Sequence, residues 1–158
     1  MNIDKKLSEN TSLKGIWRFT LEDIHTGIKR IFEYYNLIPT VGRTVLANNL
    51  TNSVPTVTPI RITFTALGTG ATAPANGDTQ LETETFRKAT ASSTNSNNVA
   101  YATAFYTAPE VSGTFAEAGL FIGGSITPNS GTLFSRVAIS ITKSLTETLT
   151  IDYTVTIT

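Results

Sequence analysis

Apolar and polar residues alternate along most of the chain. Near its start, Trp17, Phe19 and Leu21 fall on one face of an extended segment, with polar residues between them. A period of two is typical of a half-buried β-strand. The turn sequence at residues 25–27 then predicts a hairpin, because its glycine accepts the positive φ that such turns need. Residues 28–36 are predicted to return as the second strand.

The segment that follows has a helical period instead. Its apolar residues are spaced as on one face of a helix: Val41, Val45, Leu46 and Leu50. We therefore predict one short helix over residues 40–50, with Thr40 as its N-cap and asparagines closing its far end. Gly42 weakens this prediction, since glycine in a helix costs about 1 kcal/mol relative to alanine.

Alternation resumes after a linker at residues 53–59 and continues to the C-terminus. Strands are predicted at 60–65, 83–92, 98–108 and 113–124, and residues 131–158 are predicted to form a hairpin. One face of the strand at 98–108 consists mostly of small residues, Ala100, Ala102 and Ala104 with Tyr106, which predicts close packing against another sheet or subunit. Strands at intervals of about 8–12 residues indicate a sandwich or barrel. We predict a mostly β, antiparallel sandwich, jelly-roll-like or immunoglobulin-like, with one short helix.

The length of 158 residues suits one domain with a substantial core. We assign residues 15–158 to a single β-sandwich domain. Residues 1–14 are polar apart from Leu7 and Leu13, and are predicted to form a flexible arm. Such an arm can become ordered against a neighbouring subunit, where association offsets the entropy lost.

The charge balance narrows the function classes. The chain carries 12 Lys and Arg against 12 Asp and Glu, and only 15% of its residues are charged, against roughly 25% in typical domains. A neutral surface offers little repulsion between copies and lacks the basic excess of nucleic-acid binders. We expect assembly with other protein subunits, and no nucleic-acid partner.

Other features exclude further classes of site. Cysteine is absent, which excludes disulfides and thiolate metal sites. No apolar run approaches the roughly 18 residues of a membrane helix, and the polar start does not resemble a signal peptide. We expect synthesis in a cytoplasm and no membrane partner.

Residues 68–73 satisfy the G-x-G-x-x-A pattern of dinucleotide-binding loops. That motif opens a helix that receives the pyrophosphate, whereas turn residues follow here. We interpret its glycines as allowing a strand to leave a sheet edge and turn, and expect no cofactor. Long loops in compact domains are usually functional. We predict that residues 68–80 contact another subunit or protein, with these candidates: Gly68, Gly70, Pro74, Asn76 and Asp78.

Charged residues suggest structural rather than catalytic roles. Glu117 lies between alanines in an apolar strand, and if buried it needs a partner such as Arg136 or Arg87. We predict a buried ion pair of Glu117 with Arg136. Asp78 and the nearby glutamates 82 and 84 offer oxygen ligands for a hard cation, but they lack the spacing of a calcium loop. We expect no metal site.

The remaining candidates are one histidine and a set of aromatic residues. His25 lies beside Asp23 in a turn, without the further groups of a catalytic triad. The aromatic candidates for a glycan-binding groove are Trp17, Tyr34, Tyr35, Tyr101 and Tyr106. In β proteins such residues more often pack cores or subunit interfaces. We therefore predict that the protein is not an enzyme.

Several segments resemble a group of small structural proteins of tailed bacteriophages. They are "YYNLIPTV" after the first tryptophan strand, "ALGTG" followed by a proline, and "SRVAISITK" followed by "TLTI". The resemblance spans nearly the whole chain from about residue 14. It implies a virion component of the tail, baseplate or fibre attachment, or a capsid decoration protein. No catalytic motif accompanies it.

The resemblance sets the expected partners and location. We expect a trimer or higher cyclic oligomer that contacts other virion proteins, located in the virion after synthesis in the host cytoplasm, since symmetric contacts bury strand edges that would otherwise aggregate. A host-glycan-binding module is the alternative outside the structural class.

Overall fold

The computed structural model describes residues 12–51 and 60–158. Within these ranges the chain forms nine β-strands and one α-helix. They are β1 (Leu13–Asp23), β2 (Lys29–Tyr35), α1 (Thr40–Leu50), β3 (Ile62–Gly68), β4 (Glu84–Ala89), β5 (Ser92–Ser96), β6 (Val99–Tyr106), β7 (Gly113–Ile122), β8 (Thr132–Lys143) and β9 (Glu147–Ile157).

The strands make two antiparallel sheets that pack face to face. One has five strands in the order β2-β1-β9-β6-β5, and the other has four in the order β4-β3-β7-β8. This confirms the predicted antiparallel β-sandwich with one short helix. The core contains Trp17, whose ring stacks on Phe19 at 5.6 Å and meets Tyr153 edge-on at 5.3 Å. Its indole N–H donates to Ser135 Oγ at 3.0 Å, which links the two sheets.

The first hairpin forms as the alternation predicted. β1 pairs with β2, and Gly27 in the connecting turn has a φ of +69°. Asp23 stabilises this turn by accepting the backbone N–H groups of Thr26 and His25 at 2.8 and 3.0 Å. Those bonds, the one from Thr26 above all, lower the pKa of Asp23 to about 2. Asp23 and His25 therefore meet through a turn hydrogen bond to the histidine backbone.

The predicted C-terminal hairpin is wrong. β8 pairs with β7 in the four-stranded sheet, whereas β9 lies in the five-stranded sheet between β1 and β6. Residues 144–146 therefore carry the chain across the sandwich. Both strands alternate in the same way because both present an apolar face to the core, and alternation does not specify which strand lies at the edge. The pairing of β9 with β1 runs from Leu13–Ile157 to Asp23–Glu147.

Helix α1 spans the predicted residues, but its ends differ in detail. Its N-cap is Pro39, without a side-chain hydrogen bond, and Thr40 is the first helical residue. Gly42 is the buried residue of the helix and faces β8. A Cβ at this position would lie 2.8 Å from the carbonyl oxygen of Phe134 and 3.0 Å from its Cα. The glycine that weakens the helix therefore allows it to approach the sheet.

The outer faces of the two sheets differ. Helix α1 and the loop of residues 69–83 cover the outside of the four-stranded sheet. There Leu81 of the loop packs with Ala66, Phe121 and Leu133 in a small second core, with Val41 of the helix against it. The five-stranded sheet exposes large apolar side chains to solvent in the described part of the chain.

Two predicted segments lie partly or wholly outside the described residues. Of the arm predicted at residues 1–14, residues 1–11 are outside, whereas Leu13 and Lys14 belong to β1, opposite Ile157 and Thr156. The linker at 53–59 is also outside. In the described ranges, no helix is long and apolar enough to cross a membrane.

The close approach at Gly42 generates the first prediction. Gly42→Ala normally stabilises a helix, but here the added methyl group collides with the backbone of β8. We expect a loss of about 1–3 kcal/mol in the free energy of unfolding, measured by urea denaturation. Asn48→Ala is the matched control on an exposed helical position, and it is expected to be neutral or stabilising. A Gly42→Ala protein as stable as the control variant would contradict the packing argument.

Candidate functional site beneath the β3–β4 loop

A buried ion pair lies on the outer face of the four-stranded sheet. Glu117 is on β7 and Arg136 is on the adjacent β8, and their exposed fractions are 1% and 2%. Arg136 Nε donates to Glu117 Oε2 at 3.0 Å, and Nη2 lies 2.9 Å from the same oxygen. The structure thus contains the ion pair of Glu117 with Arg136 that the sequence predicted.

The carboxylate of Glu117 also binds both ends of the loop at 69–83. It accepts backbone N–H groups from Gly70 at 3.2 Å, Glu82 at 3.1 Å and Thr83 at 2.7 Å. Charge-assisted hydrogen bonds of this kind compensate a buried carboxylate that has lost its water. Glu117 therefore closes the loop at its base.

The glycine motif has a structural reason that differs from the one predicted. Neither Gly68 nor Gly70 has a positive φ. A Cβ at Gly68 would lie 2.6 Å from Oε1 of Glu117, and one at Gly70 would lie 2.5 Å from the same atom. Glycine is required because the Glu117 carboxylate approaches the backbone at both positions and the carbonyl oxygen of Thr83 lies even closer at Gly68, so the interpretation based on freedom to turn was wrong in its cause.

The guanidinium of Arg136 reaches the middle of the loop. Nη1 donates to Asp78 Oδ2 at 2.6 Å, and Nη2 donates to the carbonyl oxygen of Thr72 at 3.2 Å. Burial alone would lower the pKa of Arg136, but Asp78 and Glu117 outweigh it and raise that pKa. Burial would likewise raise the pKa of Asp78, yet the N–H of Ala75 and the guanidinium lower it.

Further contacts hold the loop together and connect it to the helix. Glu82 accepts the N–H and hydroxyl of Thr72 at 2.9 and 2.8 Å. Asn76 accepts two hydrogen bonds from the helix. Its backbone oxygen accepts one from the N–H of Thr40 at 3.0 Å, and its side-chain Oδ1 accepts one from Arg43 Nη2 at 3.0 Å. The loop therefore supplies the N-terminal contact that α1 lacks from its own capping residue.

The five candidate interface residues differ in their exposure. Gly68 and Gly70 are buried, Pro74 and Asp78 are half-buried, and Asn76 is exposed. The outward positions of the loop are mostly small and neutral: Thr69, Ala71, Ala73, Ala75, Gly77, Thr79 and Gln80. A contact of this loop with another protein stays a prediction, and the exposed positions are those that would make it.

The acidic residues that could offer oxygen ligands to a cation lie beside two different arginines. Asp78 and Glu82 lie near Arg136, whereas Glu84 binds Arg87 in a two-point contact at 2.7 and 2.9 Å. The Arg87 guanidinium also lies 4.0 Å from the ring centroid of Phe121. Among the described residues, no three His, Asp or Glu side chains are grouped so as to hold a metal.

Sequence reasoning missed a buried lysine. Lys143 donates from Nζ to the carbonyl oxygens of Ala108, Val111 and Ser144 at 2.9, 2.7 and 3.2 Å. Burial lowers its pKa. The sequence contained a signal for this burial, because Lys143 follows Val137, Ile139 and Ile141 at alternate positions of β8, and those positions face the core.

The aromatic candidates separate into two groups. Trp17 and Tyr106 are fully buried and Tyr34 is half-buried, whereas Tyr35 and Tyr101 are exposed on the five-stranded sheet. The set does not line one groove. It contributes partly to the core and partly to an outer surface.

The ion pair generates the second prediction. Glu117→Gln removes the charge that compensates Arg136, and we expect it to cost about 3–5 kcal/mol of unfolding free energy. Glu33→Gln is the matched control, since Glu33 pairs with Arg18 at 2.6 Å on the surface. It is expected to cost less than about 1 kcal/mol. Equal losses of unfolding free energy in chemical denaturation would show that the buried pair contributes no more to stability than the surface pair.

The pKa of Asp78 generates the third prediction. A carboxyl whose folded-state pKa is lowered stabilises the protein above its unfolded pKa of about 3.9. That contribution is lost as the pH falls through the lowered pKa. Melting temperatures measured between about pH 6 and 2 should therefore fall less steeply for Asp78→Asn than for the unmodified protein. Parallel curves would contradict a role for the ionised Asp78.

Comparisons with protein-family models, with curated proteins and with solved structures find no significant match. The geometry of the chain itself, together with the resemblance in its sequence, must therefore support any proposal about function.

Proposed function

We propose that the protein is a non-enzymatic structural component of a tailed-bacteriophage virion, in the tail, baseplate or fibre attachment, and that it acts by assembling with copies of itself. The resemblance of its sequence to such proteins suggests the virion. The observation that carries the assembly is the outer face of the five-stranded sheet.

The middle of that face presents three rows of side chains across β2, β1, β9 and β6. The strand registers place Tyr35, Ile16, Thr154 and Tyr101 in the first row, Glu33, Arg18, Asp152 and Thr103 in the second, and Ile31, Thr20, Thr150 and Phe105 in the third. Large apolar side chains thus flank a polar row. Tyr35 is 85% exposed and Ile31 is 58% exposed, on either side of the polar row.

Several polar groups of this face already have partners within it. Arg18 Nη2 donates to Glu33 at 2.6 Å, and the hydroxyl of Thr103 donates to Asp152 at 2.8 Å. Lys29 lies 3.3 Å from Glu22. Polar groups that are paired in advance lower the cost of removing the face from water.

The face suits a second copy of the same chain. Three cations, Lys14, Arg18 and Lys29, balance three carboxylates, Glu22, Glu33 and Asp152. Two copies can meet on a neutral face without the like-charge repulsion that a charged face would bring. We expect a contact of more than about 1,000 Å² in total, as for specific protein interfaces.

The fourth prediction tests this contact. Ile31→Glu places a charge in the proposed interface and should shift the protein to monomers in chromatography with light scattering. Ile126→Glu is the matched control, because Ile126 is 69% exposed in the loop after β7. It should leave the oligomer intact. A monomeric unmodified protein, or equal effects of both variants, would refute self-assembly through this face.

The place in the virion is a separate question. Tail and baseplate proteins form rings and are present in few copies per particle. A capsid decoration protein, which is the alternative, is present in far more copies. Densitometry of purified particles gives the copy number and separates the two. Absence of the protein from the particles would refute both.

One observation favours a second function, recognition of host glycan. Tyr35 and Tyr101 are exposed in the same row of the sheet, and exposed aromatic rings can pack on sugar rings. A glycan array with bound sugars, and loss of that binding in Tyr101→Ala, would support this function. An array without binding would leave self-assembly as the use of the face.

A further inference from the structure

The exposed tip of the loop at 69–83 contains Asn76 followed by Gly77, and this is the one Asn-Gly pair in the chain. In such a pair the backbone nitrogen of the second residue can attack the side-chain carbonyl carbon of the asparagine. Glycine leaves that nitrogen unobstructed, whereas a larger residue follows every other asparagine of the chain. The sequence therefore selects Asn76 as the asparagine most prone to this attack.

The structure leaves both reacting groups accessible. Asn76 and Gly77 are exposed, and a Cβ added to Gly77 would have no atom within 4 Å. Among the described residues, none accepts a hydrogen bond from the N–H of Gly77. The attacking nitrogen therefore has no bond within this part of the subunit to give up before it reacts.

Arg43 orients and activates the side chain of Asn76. Its Nη2 donates to Oδ1 of Asn76 at 3.0 Å. Because a guanidinium only donates, the atom that faces it is the oxygen, and the amide nitrogen Nδ2 is directed elsewhere. The positive charge polarises the carbonyl group and stabilises the oxyanion that forms on attack.

We propose that Asn76 is a site of spontaneous deamidation, which gives the loop a negative charge opposite Arg43. A bond forms between the nitrogen of Gly77 and Cγ of Asn76, and the bond from Cγ to Nδ2 breaks. Ammonia leaves with the proton of the Gly77 N–H, and the product is a cyclic succinimide. Water then opens the ring at either carbonyl carbon, which gives aspartate or isoaspartate at this position.

A hydrogen-bonded turn restrains the reaction. The N–H of Asp78 donates to the carbonyl oxygen of Ala75 at 3.1 Å, and Asp78 Oδ2 accepts the N–H of Ala75 at 2.8 Å. In a turn of this kind the nitrogen of Gly77 reaches Cγ only after the peptide before it has rotated. Asp78 is itself bound by Arg136 Nη1 at 2.6 Å. The contacts beneath the loop therefore control how often the turn opens.

The two products differ in their effect on the contact with α1. Arg43 forms no ion pair among the described residues. Aspartate places a carboxylate against this cation and beside the N-terminus of the helix, and both contacts stabilise it. Isoaspartate lengthens the backbone and displaces the carbonyl oxygen that accepts the N–H of Thr40 at 3.0 Å. Either product adds a charge to the mostly neutral surface predicted to contact another protein.

Prolonged incubation of the full-length protein at mildly alkaline pH tests the proposal. We expect a product with an added negative charge in ion-exchange chromatography and a mass gain of about 1 Da, from the exchange of NH₂ for OH. Peptide mass spectrometry should locate the change at Asn76. A protein that stays unmodified at Asn76, or that reacts first at another asparagine, would overturn the proposal.

Gly77→Ala is the matched variant, because its Cβ meets no atom within 4 Å and Gly77 has no positive φ. Its melting temperature should stay close to that of the unmodified protein. The added methyl group restricts rotation and obstructs the attack, so conversion should be slower by about tenfold or more. An equal rate would overturn attack by the nitrogen of Gly77.

A second pair of variants tests the restraint by the turn. Asp78→Ala removes the acceptor of the Ala75 N–H and should accelerate conversion severalfold, whereas Thr79→Ala, at the exposed position beside it, should not. Equal rates in the two variants would overturn the restraint. Because the loop lies over the four-stranded sheet, these results do not depend on assembly through the five-stranded sheet.

Discussion

The carboxylate of Glu117 is the group on which the outer half of the molecule depends. Two opposite charges are buried on the outside of the four-stranded sheet, and such a pair offsets its lost hydration only when its remaining hydrogen-bonding groups are satisfied. The loop at 69–83 meets this requirement, with backbone N–H groups for Glu117 and with Asp78 and Thr72 for Arg136. The bond from the N–H of Glu82 to Glu117 fixes the chain next to Leu81, which packs on Ala66, Phe121 and Leu133.

This dependence extends from the loop to the helix. Asn76 of the same loop accepts hydrogen bonds from Thr40 and Arg43 of the helix, and Gly42 allows the helix to lie close to β8. The outer face of the four-stranded sheet is therefore covered by α1 and the loop at 69–83. The opposite face has no corresponding cover among the described residues and displays exposed Ile and Tyr side chains between paired charges. This asymmetry supports the proposal that the subunit assembles through the five-stranded sheet.

Sequence patterns predicted what is local and missed what is distant. The strand predicted at 83–92 ends at Ala89, and β5 (Ser92–Ser96), whose residues are all polar, was not predicted. Alternation predicted the other strands and the helical period predicted α1, because both patterns depend on which side chains face the core. Alternation could not show that β8 and β9 belong to different sheets, because each strand directs one apolar face towards the core whichever sheet it joins. The spacing of Gly68 and Gly70 showed a special loop, but its cause is a carboxylate 47 residues beyond Gly70. Only Glu117 itself, a charge within an apolar strand, indicated that something had to lie over it.

The same contacts bear on how the loop could meet another protein. The side chains of Thr72, Asp78 and Glu82 already form hydrogen bonds within the subunit, and a partner would meet mostly small, neutral side chains such as Ala71 and Ala73. Such a surface contributes few hydrogen bonds, but a loop held in one conformation loses little entropy on binding. The contact predicted for residues 68–80 would therefore depend on shape, and the ion pair beneath the loop would act on it by keeping that shape fixed.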